Sequence, residues 1–199
     1  VANNPPTMPI GGTTEYVWTV PAGWTITGGQ GTRQITVNVG GTAGSRTVSV
    51  INRYTSDPRC PSPSRTFAVT VSPLSVGGTV AGTSPICIGS PVTLTLSGHT
   101  GTVQRWERRL LPSATWTNVA NTTTTYTYTP GSIGTWEFRA LVRSGSCSNA
   151  YSSVYSVQVD PTSVGGTTSG GNSPICINTP TGNITLSGHT GNVVRWQWR

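Results

Sequence analysis

Leu94-Thr95-Leu96-Ser97-Gly98-His99-Thr100-Gly101 recurs as Ile184-Thr185-Leu186-Ser187-Gly188-His189-Thr190-Gly191, with only the first residue changed. Val92, Leu94 and Leu96 alternate with Thr93 and Thr95, the period of two that puts apolar side chains on one face of a half-buried strand. Ser-Gly-His-Thr-Gly then reads as a turn. Working outward, Ser75-Val76-Gly77-Gly78-Thr79 returns as Ser163-Val164-Gly165-Gly166-Thr167, Ser84-Pro85-Ile86-Cys87-Ile88 as Ser173-Pro174-Ile175-Cys176-Ile177, and Arg105-Trp106 as Arg195-Trp196. A strand-and-turn pattern that repeats at this spacing predicts tandem β domains.

The repeat divides the chain into 1–73, a related but divergent unit cut at its N-terminus; 74–161, a complete repeat; and 162–199, the first part of another. Phe67-Ala68-Val69-Thr70-Val71-Ser72-Pro73 parallels Tyr155-Ser156-Val157-Gln158-Val159-Asp160-Pro161, each a closing strand followed by a short proline-containing linker. Within 74–161, alternation places Trp106 inward and buries Trp136, Phe138, Ala140 and Val142; Trp196 takes the Trp106 position in the next copy. About seven short strands in such a length is the arithmetic of an immunoglobulin-like sandwich, so the expected fold is all-β, tandem sandwiches in an extended array. In the first unit Tyr16–Val20, Ile35–Val39, Thr47–Val50 and Phe67–Val71 read as strands, and Gly28-Gly29-Gln30-Gly31 as a hairpin, since no helix follows to make it a phosphate cradle. The chain lacks an initiator Met and cuts through domains at both ends, so it reads as a window on something longer.

Composition agrees with strands and narrows the chemistry. Thr (35) and Ser (22) supply much of the chain, and Gly (25) and Pro (15) punctuate turns. All twelve basic residues are Arg, against two Asp and three Glu, for a net charge of +7. Without Lys there is no P-loop lysine, Schiff base or Lys–Asn isopeptide staple. Five carboxylates supply poorly a calcium cage or a paired-carboxylate glycosidase centre. No coherent catalytic constellation emerges, so the chain reads as non-enzymatic and needs no cofactor or metal. The arginines are scattered rather than clustered, which argues against a specific nucleic-acid surface. No stretch of 18 apolar residues exists to insert in a membrane.

Cys87 precedes the second strand of the complete repeat and Cys147 follows its Trp136–Val142 strand, so the repeat logic predicts a Cys87–Cys147 disulfide worth up to about 4 kcal/mol. Cys60 and Cys176 then read as half-pairs whose partners lie outside the chain. No Cys-x-x-Cys is present, and a bridge in every repeat predicts an oxidising, extracellular compartment. His99 and His189 read as turn residues. Trp24 and Trp116 fall in irregular segments and are the candidates for exposed, sugar-stacking aromatics. Arg105, Arg108 and Arg195 recur on equivalent strands and are candidates for contacts to anionic glycan, set against cross-strand pairing with Glu107 or Glu137.

Pro161–Gly166 with Ser173–Cys176, Leu186–Trp196, and Asn121-Thr122-Thr123-Thr124-Thr125-Tyr126 together resemble the immunoglobulin-like repeats of very large Bacteroidota surface adhesins. Tyr16-Val17-Trp18-Thr19-Val20-Pro21-Ala22-Gly23-Trp24 through Gly31 resembles the PKD-like repeats of the same proteins. The resemblance implies export by the type IX system and display at the cell surface or in extracellular filaments, some serving gliding motility and attachment. On that reading the chain is a structural stalk or filament segment. Its partners are further repeats of the same protein or neighbouring copies, joined on one chain or by strand exchange, and surface polysaccharide. The alternative is a carbohydrate-binding module of a secreted glycan-active protein, with Trp24 and Trp116 contacting sugar.

Overall fold

The computed structural model describes residues 13–55, 61–197 and 199. All its regular structure is strand, and the chain divides into two compact units, Val1–Leu74 with Gly145–Cys147, and Ser75–Ser144 with Ser148–Arg199. Among the described residues no helix is long and apolar enough to cross a membrane.

In the first unit β1 (Thr14–Thr19), β4 (Gly44–Tyr54) and β5 (Arg65–Val71) form an antiparallel sheet in the order β1-β4-β5, while β2 (Thr25–Gly28) and β3 (Thr36–Asn38) form a separate hairpin. The loop between the hairpin strands is fastened to β1. Gly31 exchanges both backbone bonds with Tyr16, and the Gln30 side chain bonds the N–H and carbonyl of Trp18 at 3.3 and 3.2 Å. The Trp18 indole donates to the Thr32 carbonyl at 2.9 Å.

The complete repeat is a two-sheet sandwich. One sheet has the order β11-β8-β6, from β6 (Thr79–Ala81), β8 (Val92–Ser97) and β11 (Thr125–Tyr128). The other has the order β10-β9-β12-β14-β7, from β7 (Ile86–Cys87), β9 (Thr102–Leu110), β10 (Thr117–Val119), β12 (Gly134–Arg143) and β14 (Tyr155–Asp160), with β13 (Ala150–Tyr151) also on β12. Period-two burial is carried through as the sequence predicts: Val92, Leu94 and Leu96 face Trp106, Phe138, Ala140, Val142, Val157 and Val159 across one core. Trp106 is fully buried and hands its indole N–H to the Thr123 carbonyl at 2.9 Å. Trp136 is half-buried, its ring 5.0 Å from that of Tyr128.

The repeated Val-Gly-Gly has a steric cause. A Cβ on Gly77 would lie 1.8 Å from the Tyr151 carbonyl oxygen, and one on Gly78, whose φ is +75°, would lie 2.3 Å from that of Ser97. Gly166, at φ +72°, meets the Ser187 carbonyl oxygen in the same way.

In 162–199 only β15 (Thr167–Gly170) and β16 (Ile184–Ser187) pair, in the register of β6 with β8: Thr167 opposes Ser187 as Thr79 opposes Ser97. The Val164–Thr190 bridge likewise repeats Val76–Thr100. Two expectations fail beyond this point. Residues 192–197 form no strand, and Trp196 is 58% exposed rather than buried. The strand at 102–110 is held between β10 and β12, and no counterparts of these flank 192–197 among the described residues. Backbone donors and an indole left without neighbours gain nothing from the pleat alone.

Candidate functional site

The outer face of the larger sheet carries most of the charge in the complete repeat. Arg105, Glu107 and Arg109 alternate outward on β9, opposite Glu137 and Arg139 on β12, with the register Glu137↔Arg109 and Arg139↔Glu107. Glu107 is only 2% exposed. It takes hydrogen bonds from Arg105 and Arg139 at 2.8 Å each, on separate carboxylate oxygens, while Arg109 pairs with Glu137 at 2.6 Å. Burial pushes the Glu107 carboxyl up, but the hydrogen bonds and charges of Arg139 and Arg105 outweigh it and leave the group below its ordinary value.

Aromatic rings lie over these guanidiniums. Trp116, just before β10, has Arg109 at 4.5 Å and Arg139 at 4.1 Å from its centroid, and Arg139 also lies 3.9 Å from the ring of Tyr151. Tyr151 in turn reaches Glu107 through its hydroxyl at 3.4 Å. The result is a stack from Arg109 through Trp116 and Arg139 to Tyr151 that ties β9, β12, β13 and the loop before β10 together. Sequence reading found the arginines and the cross-strand carboxylates. It missed Tyr151, because an isolated tyrosine on a two-residue strand has no periodicity to mark it.

The candidate glycan contacts separate under this geometry. Trp24 is not an exposed platform: it is 7% exposed, because the turn in which its N–H bonds the Pro21 carbonyl folds the ring inward beside Val37 and Val48, and its own indole N–H has no acceptor. Trp116 is half-buried, its ring against two guanidiniums. Arg105 is committed to Glu107, and Arg108 lies on the opposite side of β9, donating to the Tyr126 hydroxyl with its guanidinium 4.2 Å from the Tyr128 ring centroid. Burial raises the Tyr128 phenol above its ordinary value, with Arg108 acting in the other sense. Arg195 faces the side chain of Gln197, the residue that replaces Glu107 in the second copy; the amide oxygen, turned toward it, accepts at 2.9 and 3.0 Å. Pairing with Glu107 two residues along the same strand, rather than a free cationic ladder, describes Arg105, while the cross-strand pairs are Arg139 with Glu107 and Arg109 with Glu137. His99 sits in the turn after β8 and His189 in the equivalent turn after β16.

The predicted Cys87–Cys147 disulfide is absent, and the topology explains why. Cys87 lies beside Asp160 in a parallel pairing, at the end of the sandwich where β12 begins, since Val159 opposes Gly134. Cys147 follows Arg143, at the other end of β12. Strand β12 separates the two by roughly 30 Å at the usual rise, several times the Cα separation a disulfide tolerates. Cys87, Cys147 and Cys176 are free thiols, and that of Cys147 donates to the Pro73 carbonyl at 3.3 Å. Repeat logic places the two cysteines in one stretch of sequence, yet cannot say at which pole each lies. Cys60 lies outside the described residues.

The ends of the complete repeat are equally separated. Ser75 accepts a bond from the Ser144 N–H at the pole where β12 ends, and the chain leaves through Asp160 at the opposite pole.

Residues 76–161 match a family model described as a domain of unknown function (DUF8696), and residues 8–61 match that of a PKD-like domain. No curated protein matches the chain. Among solved structures, the crystal structure of chicken CNTN1 FN1-FN3 domains is similar at 10% identity and a TM-score of 0.35, over 75% of this chain and 58% of that one. The chain therefore spans less than two thirds of that relative's length. The fold is all-β, of the immunoglobulin-like and PKD-like kind.

Proposed function

We propose that this chain is a structural stalk segment of a large cell-surface or extracellular adhesin, one that spaces and attaches by mechanical means and does no catalysis. The observation that carries this reading is the path of the chain through the 75–161 sandwich: it enters at one pole, at Ser75, and leaves at the other, at Asp160. Each such domain adds its full strand length, roughly 30 Å, to any array it belongs to. A domain with both ends at one pole would add little. The adjacent matches to a PKD-like domain and to a second domain type, with a further Val-Gly-Gly hairpin after them, support the tandem arrangement. The sealed arginine–aromatic face supports a scaffold role, since its charged and stacking groups are satisfied by one another. On this reading the partners are further repeats or neighbouring copies, with polysaccharide contact reserved to other surfaces, in an extracellular setting that fits the resemblance to type IX-exported adhesins and a link to gliding.

Solution scattering tests it. Proteins carrying one, two and three copies of residues 74–161 in tandem are expected to lengthen by about 30 to 40 Å per copy. A maximum dimension that grows only as the cube root of mass would refute the stalk.

A further inference from the structure

We infer that the 75–161 sandwich is a mechanical clamp, in which the entering segment 75–88 and the exit strand β14 are set side by side and parallel so that end-to-end tension shears all their ties at once. Its use depends on the stalk reading; its mechanics depend only on the geometry. Segment 75–88 runs from the Ser75 pole to the Asp160 pole, and residues 153–160, which lead into and include β14, run beside it in the same direction. The Ser153 N–H bonds the Gly78 carbonyl at 3.0 Å and the Val80 N–H bonds the Ser153 hydroxyl at 3.2 Å. Farther along, the Tyr155 hydroxyl bonds the Gly82 carbonyl at 2.8 Å and the Gln158 N–H bonds the Ser84 hydroxyl at 3.0 Å. The parallel ladder of Ile86 and Cys87 with Val159 and Asp160 follows, and the Ile88 N–H closes the set on the Asp160 carbonyl at 2.8 Å.

Tension draws Ser75 toward its pole and Asp160 toward the other, so the two segments are pulled past one another along their length. Ties spaced along that length then share the load and must fail nearly together. The other edge of the entering segment is held in the same sense: Val76 exchanges both backbone bonds with Thr100, and β6 pairs β8 from Thr79↔Ser97 to Ala81↔Thr95. Val80, Val157 and Val159, all buried, add apolar contact that sliding would break. Pulling instead on Cys87 and the exit strand, which end at one pole, opens β7 from β14 bond by bond.

Cys87 is exposed and serves as a handle for the experiment. The full chain carrying Cys60→Ser, Cys147→Ser and Cys176→Ser is stretched in a single-molecule force measurement, either by its two ends or by Cys87 and its C-terminal end. In the first geometry the sandwich is recognised by a length gain of about 270 Å. Forced rupture follows the barrier along the pulled direction, so the end-to-end force is expected to exceed the Cys87-to-end force at least about twofold at one loading rate. Ser84→Ala with Tyr155→Phe, which removes two ties through side chains at the edge of the fold, is expected to lower the end-to-end force. Equal forces in the two geometries would overturn the clamp, and this comparison needs no variant of the clamp itself. Equal forces in an array that still lengthens by copy would leave the stalk and remove the clamp; a twofold difference in an array that stays compact would do the reverse.

Discussion

Glu107 combines near-complete burial with two arginine partners and the Tyr151 hydroxyl, and its carboxyl is held below its ordinary value. A depressed folded-state value means that the ionised group stabilises the fold. That contribution is whole above the ordinary value of 4.5 and drains away as pH falls from there through the lowered one. Glu107→Gln is expected to cost about 1–3 kcal/mol at neutral pH and to flatten this part of the acid limb, both read from denaturant midpoints measured against pH beside the parent. An acid limb of unchanged slope would remove Glu107 from the account. The second copy carries Gln197 at the equivalent sequence position, where its amide faces Arg195. Gly78 makes a separate demand. Gly78→Ala forces a side chain into φ +75° and against the Ser97 carbonyl, an expected loss of about 2 kcal/mol or more, seen as a melting temperature lower by roughly 8–15 °C.

Elements show where periodicity suffices and where it does not. Strand β8 was legible because five residues of alternation select one buried face whatever lies above it. The same alternation at Val194-Arg195-Trp196 produces no strand, since a pleat is stabilised by its neighbours and this run has none among the described residues. Trp24 misled for a related reason: a turn sets the direction of the residue after it, and neither Pro21 nor Gly23 reveals that direction in sequence. The cysteines extend the point from direction to distance. Alkylated without reductant and with no disulfide reagent present, the chain is expected to take label at Cys87 and Cys147, and reductant is expected to leave its melting temperature unchanged. A peptide joining Cys87 to Cys147 would contradict the antiparallel register of β12 and β14.

For the whole molecule, sequence alone determined the β class, the repeat and the apolar faces of its strands in 74–161, because strand alternation and turn chemistry are local properties that survive without knowledge of partners. It also determined which chemistry is absent from the inventory, since residues that do not occur cannot act. Tertiary structure alone decided which residues meet. It placed Cys87 and Cys147 at opposite poles, set the Trp116 ring against both Arg109 and Arg139, turned Trp24 inward, and set segment 75–88 parallel to β14. Each of these follows from strand order and register, which arise from non-local pairing across two sheets, and no window of residues short enough to carry a periodicity contains that information.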